Sequence, residues 1–152
     1  MLWRDETDTQ VFAQALAGRA MLRNAFIELQ GDLGAGKTSL VRHLLRALGV
    51  TGRIKSPTYA VVEPYALPAS DAWPTLNIWH FDFYRFTSPR EWEDAGFREL
   101  FAAPGLKLAE WAEHARAALP AADLVVRIEA QGDNSRQVQL TANTPVGQEL
   151  IA

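Results

Sequence analysis

The sequence contains no cysteine. Disulfide bonds, a thiolate nucleophile and a cysteine-ligated zinc site are therefore excluded for this chain. It also lacks any apolar run that approaches the roughly 20 residues of a transmembrane helix. The first ten residues, MLWRDETDTQ, are too polar for a signal peptide. We therefore expect a cytoplasmic protein that does not enter a membrane.

The sequence also has fewer basic residues than acidic ones. The chain has 15 lysine and arginine residues against 18 acidic ones, for a net charge of −3. Such a chain has little generic attraction for the phosphate backbone of DNA or RNA. Its one basic cluster comprises Lys37, Arg42, Arg46, Arg53 and Lys55. We interpret the cluster as one phosphate-binding lysine followed by solvated helix and loop charges.

No repeat, low-complexity tract or linker divides the 152 residues. Hydrophobic residues make up 48% of the chain and charged residues 22%, as in ordinary globular proteins. A chain of this length is long enough to bury a proper core. We therefore expect one domain over residues 1–152.

The most informative stretch is Gly31 to Thr38, which reads GDLGAGKT. It matches the phosphate-loop pattern of a glycine, four free positions and then Gly-Lys-Ser/Thr. Asn24 to Gln30, before it, is typical of a short buried strand, and after it apolar residues share one helical face. An ordinary glycine-rich turn is the alternative, and the order of strand, loop and helix disfavours it. The sequence therefore predicts a site for a nucleoside triphosphate.

The chemistry of such a loop follows from its backbone. Glycines allow main-chain N–H groups to turn inward around an anion, and the following helix points its positive N-terminal end at the same place. Lys37 is expected to reach the β- and γ-phosphates, and the Thr38 hydroxyl to bind the accompanying Mg²⁺. The expected nucleotide contacts are Gly31, Asp32, Leu33, Gly34, Ala35, Gly36, Lys37, Thr38 and Ser39.

Hydrophobic periodicity supplies the remaining elements. Helices are predicted over Thr7–Ala20, Ser88–Asp94, Phe97–Phe101 and Trp111–Leu119, and after Lys37 up to Gly49. Strands are predicted over Thr58–Tyr65, where Pro64 ends the strand, and over Leu76–Phe83 and Gly105–Glu110. Ala66–Pro74 is predicted to be a loop. Asp123–Ala130 and Arg136–Ala142 are predicted to form a hairpin. Strands alternate with helices early and follow one another late. The pattern indicates an α/β phosphate-loop NTPase fold: a mostly parallel central sheet, flanked by helices, with an antiparallel C-terminal edge.

Two acidic residues stand where predicted strands end. Asp82, the better placed, lies at the end of the strand Leu76–Phe83, and Glu110 closes the strand that runs to it from Leu106. In phosphate-loop folds an acid in this position holds the metal or places the attacking water. The structural alternative, an acid that caps a loop or pairs with a neighbour such as Arg85, stays open. His80 is interpreted as a packed or surface histidine.

Several short motifs, taken in order, resemble one family. They are GDLGAGKT, then SPTY at Ser56 to Tyr59, HFDFYR at His80 to Arg85, and AEW at Ala109 to Trp111. Together they resemble the TsaE (YjeE) ATPases, which are needed to make threonylcarbamoyladenosine (t6A) at position 37 of tRNA. The similarity runs from the first helix to the final hairpin. The phosphate loop is shared by many families, whereas the two middle motifs are far more specific.

The resemblance implies roles for individual residues. Lys37 and Thr38 would serve phosphate and Mg²⁺, and Thr58 would be a switch threonine that senses the γ-phosphate. Asp82 and Glu110 would be the acidic metal-binding or water-positioning residues, and which of them touches the metal stays open. Trp111 would lie beside the nucleotide. The departures are mild: Tyr59 stands where phenylalanine is common, and residues 66–75 form a somewhat long connection.

The resemblance also implies a function. Such a protein binds ATP, hydrolyses it slowly, and supports turnover of a complex of the threonylcarbamoyl transferase and its inactive paralogue (TsaD and TsaB type). Because the chain is acidic and has no RNA-binding motif, tRNA is expected to be reached only through that complex. A small-molecule kinase is the main alternative, although no arginine-rich lid stands out. A nucleotide-binding scaffold is a second alternative, and a GTPase is disfavoured because an Asn-Lys-x-Asp stretch is absent.

The switch assignment yields a test on Thr58. Segments that sense a γ-phosphate are held by it and loosen after hydrolysis, so they report the nucleotide to a bound partner. We expect Thr58→Ala to keep the affinity for ADP but to lose the difference in partner affinity between ATP and ADP. Affinity for the transferase complex is measured with each nucleotide at one salt concentration. A variant that still distinguishes the two nucleotides makes Ser56 to Tyr59 a simple turn.

Overall fold

The structure, a computed structural model, describes residues 1–57, 61–86 and 96–152. Its described strands form a seven-stranded sheet. They are β1 (Leu2–Trp3), β2 (Phe26–Gln30), β3 (Val62–Leu67), β4 (Leu76–Asp82), β5 (Leu106–Glu110), β6 (Leu124–Ala130) and β7 (Arg136–Ala142). The helices are α1 (Glu6–Ala17), α2 (Lys37–Leu48), α3 (Phe97–Ala102) and α4 (Pro145–Ile151), with 3₁₀ turns at Ala20–Asn24 and Ala112–Ala115.

The strand order is β1-β7-β6-β2-β5-β4-β3. The four central strands, β6, β2, β5 and β4, pair in parallel, whereas β7, β1 and β3 join at the two edges in antiparallel fashion. The predicted fold class is therefore confirmed, including the C-terminal hairpin. The second antiparallel edge, made by β3, was not predicted.

Burial explains why the centre of the sheet is parallel. All five residues of β5 are buried, as are the first four of β2. Strands covered on both faces carry apolar residues without alternation, which is typical of parallel strands between helical layers. On one face lie α1 and α2, and on the other lies a cluster of phenylalanines formed by Phe26, Phe81, Phe83, Phe86 and Phe97.

Helix α2 carries the phosphate loop at its start. Its buried positions include Leu40, Val41, Leu44 and Leu45, the predicted helical face. Gly49 ends the helix in the left-handed conformation, with φ of 110°, and its N–H donates to the carbonyls of the last turn. A residue without Cβ adopts this conformation at little steric cost, so the predicted helix stop is confirmed.

Three predicted boundaries are wrong. Helix α1 begins at Glu6, because the Asp5 side chain accepts from the N–H groups of Thr7 and Asp8. Strand β3 continues past Pro64 to Leu67, so the predicted loop begins later; an edge strand tolerates proline because its outward side needs no donor. The helix predicted from Trp111 reduces to a 3₁₀ turn, since Trp111 is left-handed with φ of 57°.

Two elements were missed in the sequence. Strand β1 is only two residues long and is stabilised by pairing with β7, and the short helix α4 is capped by the Thr144 side chain. Elements of this length carry too little periodicity to be predicted. The predicted Ser88–Asp94 helix lies outside the described residues, as does the first part of the predicted Thr58–Tyr65 strand. None of the helices in the described ranges is long and apolar enough to cross a membrane.

The junction of β2 with the phosphate loop generates a prediction about Gly31. Its φ is 149°, and a Cβ there would lie 2.4 Å from the Ile128 carbonyl oxygen of β6, a backbone atom that cannot move aside. Gly34 has φ of 80° but no heavy atom within 4 Å of the same position. Gly34→Ala should therefore cost only backbone strain, of order 1–3 kcal/mol. Gly31→Ala should cost at least about 1 kcal/mol more, since it adds a clash.

Urea unfolding of both variants measures this difference in the free energy of unfolding. Equal losses in the two variants would mean that β2 and β6 can separate at Gly31 without cost.

Candidate nucleotide-binding site

A cleft of about 220 Å³ opens where β2, β4 and β5 end. Because these strands run parallel, their carboxyl ends meet at one edge of the sheet, where α/β folds place their ligand sites. The residues that line the cleft are Leu33, Gly34, Gly36, Lys37, Thr38, Ser39, Asp82, Glu110 and Trp111. We call it the phosphate cleft.

Glycines shape the loop at the mouth of this cleft. Gly34 has φ of 80°, and Gly36, immediately before α2, has φ of 113°. These left-handed conformations turn successive N–H groups toward one side, which forms a concavity for an anion. The start of α2 adds the positive end of its dipole. The loop therefore has the backbone geometry that phosphate binding requires.

Among the described residues that line the phosphate cleft, Lys37 is the one cation. It is only 5% exposed, its Nζ donates to the Gly31 carbonyl oxygen, and Nζ lies 3.8 Å from the centre of the Trp111 ring. Burial lowers the pKa of Lys37, and the nearby carboxylates, Glu110 first, oppose that shift. Burial thus works against the charged form of Lys37, and the acidic neighbours favour it.

Asp82 and Glu110 face each other across neighbouring strands. They are register partners in the parallel pair β4 and β5, at the last residue of each strand. Burial raises the pKa of the Asp82 carboxyl, and the charge of Glu110 raises it further. The Tyr84 N–H, 3.0 Å from Asp82 Oδ1, opposes the rise by donating to the charged form. The two predicted acids therefore form one pair beside the loop, in which Glu110 is buried and Asp82 half-buried.

Glu110 is held by two side chains. It is 3% exposed, and the Thr38 hydroxyl donates to its carboxylate, with Oγ1 3.1 and 3.2 Å from the two oxygens. The His80 Nε2 lies 2.6 Å from Glu110 Oε2, and since a carboxylate only accepts, this nitrogen carries the proton. Among the described residues, the buried Nδ1 of His80 has no hydrogen-bond partner.

His80 is the residue whose contact the sequence reasoning missed. The sequence left open whether His80 is a packed or a surface histidine, and the structure shows it buried. Its imidazole also fixes the carboxylate of Glu110. The available signal was its position two residues before Asp82, since alternate residues of a strand share one face. That spacing places His80 on the face of Asp82, but it does not reveal the contact with a neighbouring strand.

Trp111 forms an aromatic wall over Lys37. Its ring centre lies 5.0 Å from that of Tyr84 and 5.6 Å from that of His114. The His114 Nδ1 lies 3.0 and 2.8 Å from the carbonyl oxygens of Phe83 and Tyr84, which fixes the segment after β4. The left-handed backbone of Trp111 ends β5 and turns the chain away after Glu110.

The structure thus brings most of the predicted site residues to one edge of the sheet. Gly31, Asp32 and Ala35 line a neighbouring cavity instead of the phosphate cleft, and Thr58 lies outside the described residues. Within the described ranges, no three histidine or acidic side chains form a cluster able to hold a metal. Thr38, Asp82 and Glu110 bring oxygen atoms to the cleft, and oxygen atoms are the ligands that Mg²⁺ takes.

The family model of the threonylcarbamoyl adenosine biosynthesis protein TsaE matches residues 3–138. The chain belongs to the TsaE family. Relatives of this chain bear the name tRNA threonylcarbamoyladenosine biosynthesis protein TsaE. The Haemophilus influenzae protein is 38% identical over 141 residues, which are 93% of this chain and 85% of that protein. The Bacillus subtilis protein is 34% identical over 142 residues, or 92% and 84%.

A solved structure agrees with this TsaE assignment. The crystal structure of Bacillus subtilis YdiB superimposes with a TM-score of 0.77 at 29% sequence identity. The match covers 99% of this chain and 90% of that one. The likeness therefore extends over the whole sheet, including the edge strands that carry no motif.

The contact between His80 and Glu110 generates a prediction on stability. Removing the imidazole leaves a buried carboxylate with one partner fewer, which costs about 1–3 kcal/mol. We expect a double-mutant cycle of His80→Phe and Glu110→Gln to give a coupling free energy of at least about 1 kcal/mol. His80→Gln, which keeps a donor, should recover part of the loss.

The surface pair of His43 and Glu6 is a matched control. Its nitrogen and oxygen lie 3.0 Å apart, but Glu6 is 72% exposed. The corresponding cycle there should give no more than about 0.5 kcal/mol, as solvent screens the pair. Unfolding in urea measures both cycles. Similar coupling in the two pairs would reduce His80 to a packing residue.

Proposed function

We propose that this chain, acting as one phosphate-loop domain, binds ATP with Mg²⁺ and hydrolyses it slowly to ADP and phosphate. The observation that carries the proposal is the convergence of Lys37, Thr38, Asp82 and Glu110 in one cleft at the end of the parallel strands. A phosphate loop alone binds a nucleotide. Hydrolysis also needs carboxylates that hold the metal and place the water, and two of them face the loop here.

The chemistry of each group in the cleft suggests its role. The loop N–H groups and the charge of Lys37 would hold the triphosphate, with Lys37 released from the Gly31 carbonyl to do so. Thr38, Asp82 and Glu110 supply the oxygen atoms that would hold Mg²⁺ and orient the attacking water. When bound, Mg²⁺ neutralises charge on the phosphate oxygens. The two acids share these tasks, because both line the same cleft.

Slow hydrolysis is consistent with the state of the two acids. Glu110 already accepts hydrogen bonds from Thr38 and His80, and the half-buried Asp82 accepts one from the Tyr84 N–H. Carboxylates held in this way must exchange these partners before they bind a cation or a water. We propose that a bound partner completes or releases this arrangement, so that the ATPase is activated in a complex.

The biological setting is proposed from the TsaE relatives. Their names place them in the biosynthesis of tRNA threonylcarbamoyladenosine. We propose that this chain acts with the threonylcarbamoyl transferase and its inactive paralogue (TsaD and TsaB type), and that ATP hydrolysis supports their repeated turnover in t6A modification. A net charge of −3 favours contact with tRNA through those partners.

The decisive test measures ATP hydrolysis in the presence of the transferase complex. We expect Asp82→Asn and Glu110→Gln each to lower turnover at least about tenfold, or roughly 1.4 kcal/mol of barrier, because positioning and charge supply most of the catalysis. ATP binding should fall less than turnover. Lys37→Ala should instead weaken ATP binding itself, since it removes the only cation that the described part of the chain contributes to the cleft lining.

Glu149→Gln is the matched control for Glu110→Gln. It removes an exposed acid of α4 that does not line the cleft, and it should leave the rate unchanged. If both acid variants hydrolyse ATP at the wild-type rate, Asp82 and Glu110 have only a structural role. Transfer of phosphate to a small acceptor instead of water would favour the kinase alternative.

A further inference from the structure

Val61, the residue before β3, has a backbone conformation that valine rarely adopts. Its φ is 65°, which lies in the left-handed region. A β-branched side chain is crowded there by the neighbouring carbonyl oxygen, so valine in this region is an outlier among protein structures. Such conformations persist only where the surrounding structure imposes them, and they concentrate at functional sites. The conformation of Val61 therefore needs a physical cause.

The left-handed residues of the described chain, glycines apart, are Val61, Trp111 and Asn134. Asn134 lies between β6 and β7, and asparagine tolerates this conformation. The other two residues lie beside the acids of the phosphate cleft. Trp111 directly follows Glu110, and the Val61 carbonyl oxygen accepts from the Asp82 N–H at 2.8 Å. In the described part of the chain, the two least favourable of these conformations thus adjoin the two acids.

The pairing of β3 with β4 places Val61 opposite Asp82. Val62 is the register partner of Phe81, so the next step along this antiparallel pair brings Val61 to Asp82. The hydrogen bond from the Asp82 N–H to the Val61 carbonyl continues the pairing by one residue. On its other side, Asp82 is the register partner of Glu110 in β5. Val61 is therefore the contact that holds the main chain of Asp82 from the side of β3.

The two faces of β4 show where an extended Val61 would point. Ile78 packs in the cluster against α1 and α2, whereas Phe81 and Phe83 lie in the phenylalanine cluster on the other face. Since side chains alternate along a strand, Asp82 shares the face of Ile78, toward α2. Residues opposite each other in neighbouring strands point to the same face. An extended Val61 would therefore place an apolar side chain beside the Asp82 carboxylate.

The observed side chain of Val61 lies on the opposite face. Val61 and Val62, although consecutive, both pack against the phenylalanine cluster. Alternation does not allow this in a regular strand, so the left-handed backbone of Val61 is what brings both valines to one face. The face that carries Asp82 is thereby kept clear of the Val61 side chain. The unfavourable conformation is thus joined to packing on one face and to an open acid on the other.

We propose that Val61 is a positioning residue for Asp82. Its carbonyl fixes the main chain of the acid, and its left-handed backbone keeps its own side chain off the face on which Asp82 would meet Mg²⁺ and water. This inference rests on the proposed function, in which Asp82 has one of these tasks. Val61 is not among the described residues that line the phosphate cleft, so it would act only through Asp82.

The first experiment tests the strain at Val61 and needs no nucleotide. Val61→Gly and Val62→Gly remove the same side chain from the same cluster, but only the first also relieves a left-handed conformation. In urea unfolding, we expect the folding equilibrium constant of Val61→Gly to exceed that of Val62→Gly at least about fivefold. Equal constants, or a smaller one for Val61→Gly, show that the backbone of Val61 is unstrained and overturn the proposal.

The second experiment compares Val61→Asn with Val61→Pro. Asparagine adopts the left-handed conformation, whereas proline is locked at a φ of about −65°. With the transferase complex present, Val61→Pro should lower the kcat for ATP at least about tenfold and change KM less than about threefold. Val61→Asn should stay within about threefold of the wild-type kcat, because it keeps the backbone. A packing role alone predicts the reverse order, since proline is apolar and asparagine brings an amide to the phenylalanine cluster.

Exchange of the Asp82 amide proton gives a readout that does not depend on hydrolysis. Because this N–H donates to the Val61 carbonyl, NMR should show it protected in the wild type and in Val61→Asn. In Val61→Pro it should exchange at least about tenfold faster. The Phe83 amide is the internal control, because it donates to the Glu110 carbonyl on the side of β5 and should keep its protection.

The outcomes separate this inference from the proposed function. Wild-type kcat in a folded Val61→Pro, or an equal loss of kcat in Val61→Asn, overturns the positioning role and leaves the ATPase intact. If the wild type does not hydrolyse ATP with the complex present, the proposed function fails and the positioning role fails with it. If Val61→Pro does not fold, Val61→Ala replaces it, since alanine lacks the packing that imposes the left-handed form. Equal exchange of the Asp82 amide in Val61→Ala and Val61→Asn then overturns the proposal.

Discussion

Parallel pairing of β2 with its neighbours is the constraint on which the site depends. Parallel strands end at the same edge of a sheet, so the loop after β2 meets Asp82 at the end of β4 and Glu110 at the end of β5. The acids are 28 residues apart in sequence, yet they are direct partners in the pairing of β4 with β5. Antiparallel pairing of the same strands would carry the acids to opposite edges. The edge strands β3 and β7 are antiparallel, and neither supplies a carboxylate to the cleft.

Two buried glutamates, Glu28 and Glu110, are stabilised by different kinds of partner. Glu28 of β2 is 2% exposed and forms an ion pair with Arg116, a permanent cation that satisfies it. Glu110 is equally buried, but its partners are the hydroxyl of Thr38 and the imidazole of His80. Hydrogen bonds from such groups hold a carboxylate without cancelling a full opposite charge at close range. The first arrangement pairs two opposite charges, whereas the second holds the carboxylate by hydrogen bonds beside the phosphate loop.

The N-terminal segment and the hairpin brace the loop from its other side. Strand β1 pairs with β7, and Arg136 at the start of β7 donates to the carbonyl of Ala35 inside the loop. The loop is therefore held between the β6–β7 hairpin and the strands that carry the acids. A loop fixed on both sides loses less conformational entropy when it closes around an anion. This bracing links the edge strands β1 and β7 to the phosphate cleft.

The sequence by itself determined the local chemistry: the phosphate loop, the helix that follows it, the apolar strands that end in Asp82 and Glu110, and the late hairpin. Each of these depends on residues that are near neighbours in the chain, where glycine positions and hydrophobic periodicity act directly. Only the tertiary structure decided the contacts between distant segments. The bond from His80 to Glu110 spans 30 residues and that from Arg136 to Ala35 spans 101. Strand β1 and the left-handed Trp111 belong to the same group, because sheet pairing and burial impose them against what their own sequence favours.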